Sequence, residues 1–345
     1  MELKNIVQEF TDTENYTITP ITNGMINSTY LLENNDKKEK YILQKINIHI
    51  FKDPKIIIDN HLKINSLLGK SNYQLEMVNP IHSISNKYLV QNENSEIWRM
   101  LSFIENSKTF LKVPDLKTAY EAAKTFGYFL DIINSEPILS LQETLPDFIN
   151  FEKRINDYKN ALQNTSQDLA KTADQEIKYI NQLLELPEKW IEMEKNHLLP
   201  KRIIHADPKI SNILFDQNDN PLAVIDLDTT MISTILYDFG DMIRSYTNKT
   251  DEDQGNSENN FDSEIYKAVK DGFLFHLKEK LTTLETENLN YAAQVVIYIQ
   301  AVRFLTDYLN GNIYYSTQYP EHNLDRTKNQ LMLLRGLREY LNDTL

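Results

Sequence analysis

The 345-residue sequence contains no cysteine, which excludes disulfide frameworks, Cys-ligated zinc, iron–sulfur clusters and thiol chemistry. Glycine is scarce, with 8 residues against roughly 7% in average proteins. A Rossmann or Walker phosphate site, which needs several glycines in one loop, is therefore disfavoured. No run approaches the roughly 18 uninterrupted apolar residues of a membrane-spanning helix. Residues 1–16 lack the apolar segment of a secretory leader, so a cytoplasmic, soluble protein is expected. Positive charge is also short: 36 Lys+Arg stand against 50 Asp+Glu, a net charge of −14. Such a surface repels nucleic acid, whose binding relies on Lys and Arg contacts to phosphate. The length suggests two domains, each large enough to bury a core.

The pattern changes part-way along the chain. Residues 16–19, 29–32 and 41–46 are rich in β-branched and aromatic side chains and are separated by Asn23-Gly24 and Asn34-Asn35-Asp36, which reads as strands joined by turns. Pro54 opens an apolar-periodic stretch over 56–68, which predicts a helix. Residues 88–91 and 97–101 read as further strands. Beyond that, apolar residues recur at helical spacing through Tyr120, Ala123, Phe126, Phe129, Leu130 and Ile133, again over 169–196, and in 266–281, 291–309 and 326–341. The expectation is an α+β chain with a strand-rich lobe over 1–105 and a mostly helical one over 106–345. The polar run 248–260 reads as a solvated loop.

Inside the helical part, the strand signal at 201–226 carries the chemistry. Ile203-Ile204-His205-Ala206-Asp207-Pro208-Lys209-Ile210-Ser211-Asn212-Ile213-Leu214-Phe215 precedes a polar turn and Leu222-Ala223-Val224-Ile225-Asp226, a hairpin pattern. A turn centred on Asp219 would set Ile213 opposite Ile225 and Asn212 opposite Asp226, about 5 Å apart at Cβ. An amide oxygen and a carboxylate at that separation suit Mg²⁺, which takes hard oxygen ligands together with substrate phosphates. A slip of one residue would put them on opposite faces.

Asp207 stands five residues before Asn212. That is the spacing of the kinase loop H-x-D-x-x-x-x-N, where the Asp accepts the attacking hydroxyl's proton and the Asn holds metal. His205 is then expected to be a buried structural residue. Asp238-Phe239-Gly240 spells the protein-kinase metal motif, but it lies 31 residues beyond Asp207 and follows no strand. Asp226, 19 residues on, is the expected metal ligand, and Asp238 a brace for the loop.

HADPKISNILFD, AVIDLDTTM and YDFGDMIRS resemble the aminoglycoside phosphotransferase and choline kinase superfamily, and within it the N-acetylhexosamine 1-kinase group of bacterial sugar kinases. ITNGMINSTYLL, YILQKIN, WRMLSFIE and RFLTDYLNGNIYY extend the resemblance over most of the chain. It implies a bilobal, protein-kinase-like fold, ATP as phosphoryl donor, Mg²⁺ as cofactor and a small-molecule sugar as acceptor. By resemblance, Asn23, Gly24, Asn27 and Ser28 cover the ATP phosphates and Lys45 pairs with the α- and β-phosphates. Asp59 would be that lysine's acidic partner, and Arg99, Leu101 and Phe103 would belong to a hinge near 99–106 that carries adenine. Asp207 would meet the sugar hydroxyl at C1, with Asp228, Tyr246 and Arg303 as further sugar contacts. Asp307, Tyr314 and Arg326 are expected to be structural.

The expected partner is a small molecule alone, with no nucleic acid and no membrane, the chain acting as a monomer or weak homo-oligomer. Two departures bear on which sugar is taken. Ile149 follows Asp147-Phe148 where such kinases tend to have His, and Met231-Ile232-Ser233-Thr234 replaces their usual Pro-Gly. Two other functions compete. A polycationic aminoglycoside or amino-alcohol acceptor would want a dense acidic acceptor side, for which Asp251-Glu252-Asp253 is a candidate run. A non-catalytic nucleotide-binding protein of this fold would be expected to lose Asp207, Asn212 or Asp226, and all three are present.

Overall fold

The computed structural model describes residues 2–22, 26–135, 139–255 and 259–342, so Asn23 and Gly24 lie outside the described residues. Leu3, Ile6, Val7 and Phe10 recur at helical spacing and form one apolar stripe on α1 (Glu2–Phe10). There follow β1 (Tyr16–Ile21), β2 (Ser28–Asn34), β3 (Glu39–Ile46) and α2 (Pro54–Lys70), whose first turn is capped by the Asp53 carboxylate. With β4 (Pro80–Ile81), β5 (Val90–Gln91) and β6 (Ile97–Ser102) these strands make an antiparallel sheet ordered β1-β2-β3-β6-β4, and β5 also pairs β6. Pro20 and Pro80 sit in the outer strands, the positions where a missing N–H is tolerated.

Strand alternation assigns the two faces of this sheet. Leu32, Leu43, Trp98 and Met100 point to one side and are buried against Ile6, Val7 and Phe10 of α1. Ile46 points to the other and packs with Phe51 and with Ile57 of α2. The register pairs Gln44 with Arg99 and Lys45 with Trp98. Gln44 and Arg99 therefore lie on the α2 face and Lys45 on the α1 face.

Downstream come α3 (Leu116–Ile133), α4 (Phe151–Asn164), α5 (Gln167–Thr172), α6 (Asp174–Gln182), α7 (Glu185–Lys195) and β7 (Arg202–Ile204). They are followed by β8 (Ile213–Phe215), β9 (Pro221–Val224), β10 (Met231–Ser233) and α8 (Ile235–Tyr246). The chain closes with α9 (Ser263–Leu277), α10 (Thr283–Glu287), α11 (Leu289–Leu309) and α12 (His322–Leu341). No helix among the described residues is long and apolar enough to cross a membrane.

Met1–Thr109, Ile132–Pro146 and Asn212–Ile232 form one compact unit, and Phe110–Asp131, Asp147–Ser211 and Ser233–Leu345 the other. An interleaved division thus replaces the single boundary expected at 105/106. Its cause is hydrogen bonding between distant segments of the first unit. Glu76 N–H donates to Leu222 O at 2.8 Å, Lys108 N–H to Phe215 O at 2.9 Å, and Gln142 N–H to the Asn60 side chain at 3.1 Å.

In the second unit the Cβ that Gly240 lacks would meet Ala292 O at 2.7 Å, so this glycine lets α8 approach the buried α11. Asn248 and Thr250, just after α8, are held in place: Asn329 of α12 donates to Thr250 Oγ1 at 2.8 Å and accepts from Asn248 Nδ2 at 2.7 Å.

On the α2 face of the sheet, buried His61 meets Val78 O through Nε2 at 2.8 Å. Burial first, and the Arg99 guanidinium second, push its pKa down to about 4. The unfolded chain takes up this proton below about pH 6.5, whereas the folded protein refuses it until well below. Stability should therefore rise with pH across this window, by up to about 1.4 kcal/mol per pH unit from this residue. Urea unfolding of His61→Gln between pH 4.5 and 6.5 should show a shallower pH slope than the parent, and equal slopes would remove His61 as the cause.

Candidate active site

β7 delivers the chain to His205, which is fully buried with its ring 5.2 Å from Phe126 and 6.2 Å from Phe129. Ala206 takes a left-handed φ of 65°, which turns the loop. Asp238, buried in the first turn of α8, accepts the backbone N–H of His205 at 2.7 Å and of Ala206 at 2.8 Å. The Asp-Phe-Gly triplet thus braces the loop, as expected from its position. Burial pushes the Asp238 carboxyl up to about 7, against the pull of those two N–H groups.

Asp207 comes next, with its side chain 22% exposed and Lys209 Nζ 3.0 Å from its Oδ2. Burial works against the Lys209 charge, but Asp207 and Asp241 outweigh it and raise the ammonium pKa. Residue spacing alone does not single out Lys209; its signal is a cation two residues after Asp207.

In the first unit, Asn212 ends a 3₁₀ turn (Ile210–Asn212) and leads into β8. The observed register pairs Ile213 with Val224 and Leu214 with Ala223, one residue off the expected pairing. Asn212 is met by Ile225, whose N–H donates to Asn212 O at 2.9 Å. The tight turn decides this: Asp216 Oδ1 accepts the N–H groups of Asn218 and Asn220, each at 2.8 Å.

Asp226 lies beyond the strand, exposed, in the left-handed region at φ 61° and ψ 59°. For a residue with a Cβ that conformation costs about 1–2 kcal/mol, and it frees the side chain from strand alternation. Among the described residues no three His, Cys, Asp or Glu are placed to hold a metal. One amide oxygen and one carboxylate suit instead a Mg²⁺ that keeps water and takes phosphate oxygens.

The structure reassigns several residues of the first unit. Lys45 Nζ meets Glu96 Oε1 at 2.8 Å, and Asn92 Nδ2 steadies the other Glu96 oxygen at 2.8 Å. Asp59, expected as the partner, pairs with Lys55 inside α2 at 2.5 Å. The reason is alternation: Lys45 points to the α1 face, and α2 covers the opposite one. Ser28 opens β2 directly across from Lys45.

Arg99 lies within β6 rather than in a hinge, 2% exposed, and donates from both Nη atoms to the Asp228 carboxylate at 2.8 Å each. Leu101 is buried opposite Ile42, and Phe103 follows the strand with Lys40 Nζ 5.6 Å from its ring. Asp228 is itself 2% exposed, and Asn27 Nδ2 donates to its Oδ2 at 3.0 Å. Its carboxylate is therefore consumed inside the protein and does not present itself to a sugar. The Asn27 side chain is consumed as well, since its Oδ1 accepts Asn47 N–H at 3.0 Å.

In the second unit, Tyr246 is buried in α8 with no hydrogen-bond partner for its hydroxyl among the described residues. The Arg303 guanidinium of α11 stacks near Phe148 at 5.5 Å and Tyr315 at 5.8 Å, and its Nη1 donates to Gln300 Oε1 at 3.0 Å. Arg154 reaches the same aromatic from the backbone side, with Nη2 3.4 Å from Phe148 O. Asp307 accepts the N–H groups of Ile313, Tyr314 and Tyr315 at 3.0, 2.8 and 2.9 Å, a structural role as expected. Two members of the acidic run are ion-paired, Asp251 with Lys112 at 2.5 Å and Glu252 with Arg244 at 3.1 Å, while Asp253 lies 3.6 Å from His322, whose pKa burial lowers.

Asp207 and Asn212 keep the H-x-D-x-x-x-x-N spacing of kinase loops, and Asp226 follows just past the hairpin. The chain matches the phosphotransferase enzyme family over residues 17–269 and belongs to it. It is a small-molecule phosphotransferase. Solved structures of similar fold include spectinomycin phosphotransferase in complex with ADP and spectinomycin, at 13% identity and TM-score 0.64 over 97% of this chain and 96% of that one. An aminoglycoside phosphotransferase from Alicyclobacillus acidocaldarius is 11% identical with TM-score 0.66, covering 98% and 96%. Choline kinase from Cryptosporidium parvum is 17% identical with TM-score 0.57, covering 99% and 96%.

Asp238→Ala should leave two buried N–H groups without an acceptor, at about 1–3 kcal/mol each. Chemical unfolding should register a loss of that size, with Asp238→Asn losing less because one carbonyl oxygen remains. Unchanged unfolding free energy in Asp238→Ala would show that the brace is dispensable.

Proposed function

We propose that the chain transfers the γ-phosphoryl group of ATP to the anomeric hydroxyl of an N-acetylhexosamine, with Mg²⁺. The observation that carries this reading is Asp207, on a loop whose backbone is fixed by Asp238 and whose carboxylate is paired with Lys209. In this reading Asp207 accepts the acceptor hydroxyl's proton as that oxygen attacks the γ-phosphorus. Lys209 orients the carboxylate. Asn212 and Asp226 hold Mg²⁺, which when bound offsets the charge on the phosphates. Asn23, Gly24 and Ser28 cover the phosphates, and Leu101 and Phe103 meet the adenine. Lys45, part-exposed and paired with Glu96, meets the α- and β-phosphates. The neighbour crystallised with ADP supports a nucleotide as donor.

Charge favours a neutral sugar over a polycationic acceptor. The carboxylates of Asp251 and Glu252 are already paired, and Arg303 near the Phe148 ring would repel an ammonium group. Phe148 and Tyr315 offer aromatic faces on which a sugar ring packs and Arg303 a polar contact, whereas the Tyr246 hydroxyl is buried as Asp228 is. The competing acceptor is an aminoglycoside or amino alcohol, the kind of molecule that the neighbours' names give.

An ADP-release assay across N-acetylglucosamine, N-acetylgalactosamine, other sugars, aminoglycosides and choline tests the choice. Turnover with an N-acetylhexosamine is expected, with phosphorus NMR showing a sugar 1-phosphate. Turnover with an aminoglycoside and no sugar would sink the acceptor assignment. Asp207→Asn should lower kcat by about 10²–10⁴-fold, and full turnover in that variant would remove Asp207 as the base.

A further inference from the structure

Asp226 holds a left-handed backbone conformation at the point where the proposed metal ligand must be aimed. Such a conformation persists only where the surroundings over-determine it. On its N-terminal side, Ile225 N–H is fixed to Asn212 O at 2.9 Å. On its C-terminal side, Leu227–Thr229 form a 3₁₀ turn whose middle residue is Asp228.

The Asp228 carboxylate is tied into the sheet by three hydrogen bonds from two side chains. Arg99 of β6 grips both oxygens at 2.8 Å, and Asn27, just before β2, donates to one of them at 3.0 Å. Arg99 is locked in turn by its Nε on Gln44 Oε1 of β3 at 2.9 Å, and Gln44 by its Nε2 on Thr29 Oγ1 of β2 at 3.1 Å. Asn27 is locked by Asn47 N–H at 3.0 Å. The links are side chains on the α2 face, Asn27 before β2 and the backbone of Asn47 just past β3, and the charged pair at the centre is buried.

We propose that Asp228 is a positioning residue that sets the aim of Asp226, acting through Arg99 and Asn27, and is not an acceptor contact. This rests on the reading of Asn212 and Asp226 as the Mg²⁺ ligands. A buried ion pair is a poor source of stability, because desolvation offsets the Coulombic gain. A bidentate Arg–carboxylate fork, however, fixes distance and angle together. Residues that orient metal ligands typically change metal affinity by about 10–100-fold when replaced.

The test is Mn²⁺ binding in the presence of ADP, followed by electron paramagnetic resonance, alongside Mg²⁺ dependence and acceptor KM. Arg99→Lys keeps the charge and loses the fork. The double variant Arg99→Met/Asp228→Leu removes both charges without leaving one unpaired, so it guards against simple unfolding. Both should retain a cooperative thermal transition, weaken Mn²⁺ binding about tenfold or more, and leave acceptor KM within about twofold of the parent. Unchanged Mn²⁺ affinity in both variants overturns the proposal, and so does a selective rise in acceptor KM, which would make Asp228 a substrate contact. If the parent with ADP binds no Mn²⁺ while Asp207→Asn still abolishes turnover, the metal-ligand reading fails and the positioning role falls with it. That outcome is distinct from a parent that binds and variants that bind equally well.

Discussion

A carboxylate withdrawn from water and gripped by a guanidinium fork joins parts of the first unit that lie far apart in sequence. Arg99 and Asp228 are 129 positions apart and meet through two parallel hydrogen bonds. The bond joins the central strand β6 to the chain just past the β8–β9 hairpin, and Asn27 brings in the turn before β2. Neither partner has an accessible face, so removing one charge would strand the other in a low-dielectric interior. The pair therefore constrains geometry more than it stabilises. It explains why residues 212–232 cluster with the sheet although helices surround them in sequence.

The second unit uses the same device in different places. Asp238 holds the backbone at His205 and Ala206, and Asp307 holds the backbone at 313–315. Asp228, Asp238 and Asp307 are buried, whereas Asp207 is partly accessible and Asp226 exposed. These five aspartates thus divide by burial into three that hold structure and two left able to meet ions or protons. Environment, not residue type, makes the division. Within the proposed mechanism, Asp207 and Asp226 are the members that touch reacting groups or metal.

Much of this was written in local spacing. The strands at 16–46, the helix after Pro54, the five-residue step from Asp207 to Asn212 and the bracing position of Asp238 all follow from patterns a few residues long. What local spacing did not carry depended on distant partners or on a shift of one residue. The hairpin register was decided by hydrogen bonds within the 216–220 turn, which moved Ile213 from Ile225 to Val224. One step along β3 separates Gln44 from Lys45 and sends them to opposite faces of the sheet, so the lysine met Glu96 rather than Asp59. Asp228 showed no sign of its partner, because nothing local points to Arg99. The amphipathic stripe of α1 was readable from Leu3, Ile6, Val7 and Phe10, although its role as a cover for β-strand side chains was not.

The prolines in the outer strands have a consequence of a different kind. A sheet with free edges can recruit a strand from a neighbouring molecule through its unpaired N–H and C=O groups. Here β1 carries Pro20 and β4, only two residues long, carries Pro80. A proline in such a strand interrupts the row of donors an incoming strand would need. The sheet that anchors Arg99 thus has a proline in two of its margin strands, β1 and β4, where an added strand would have to pair.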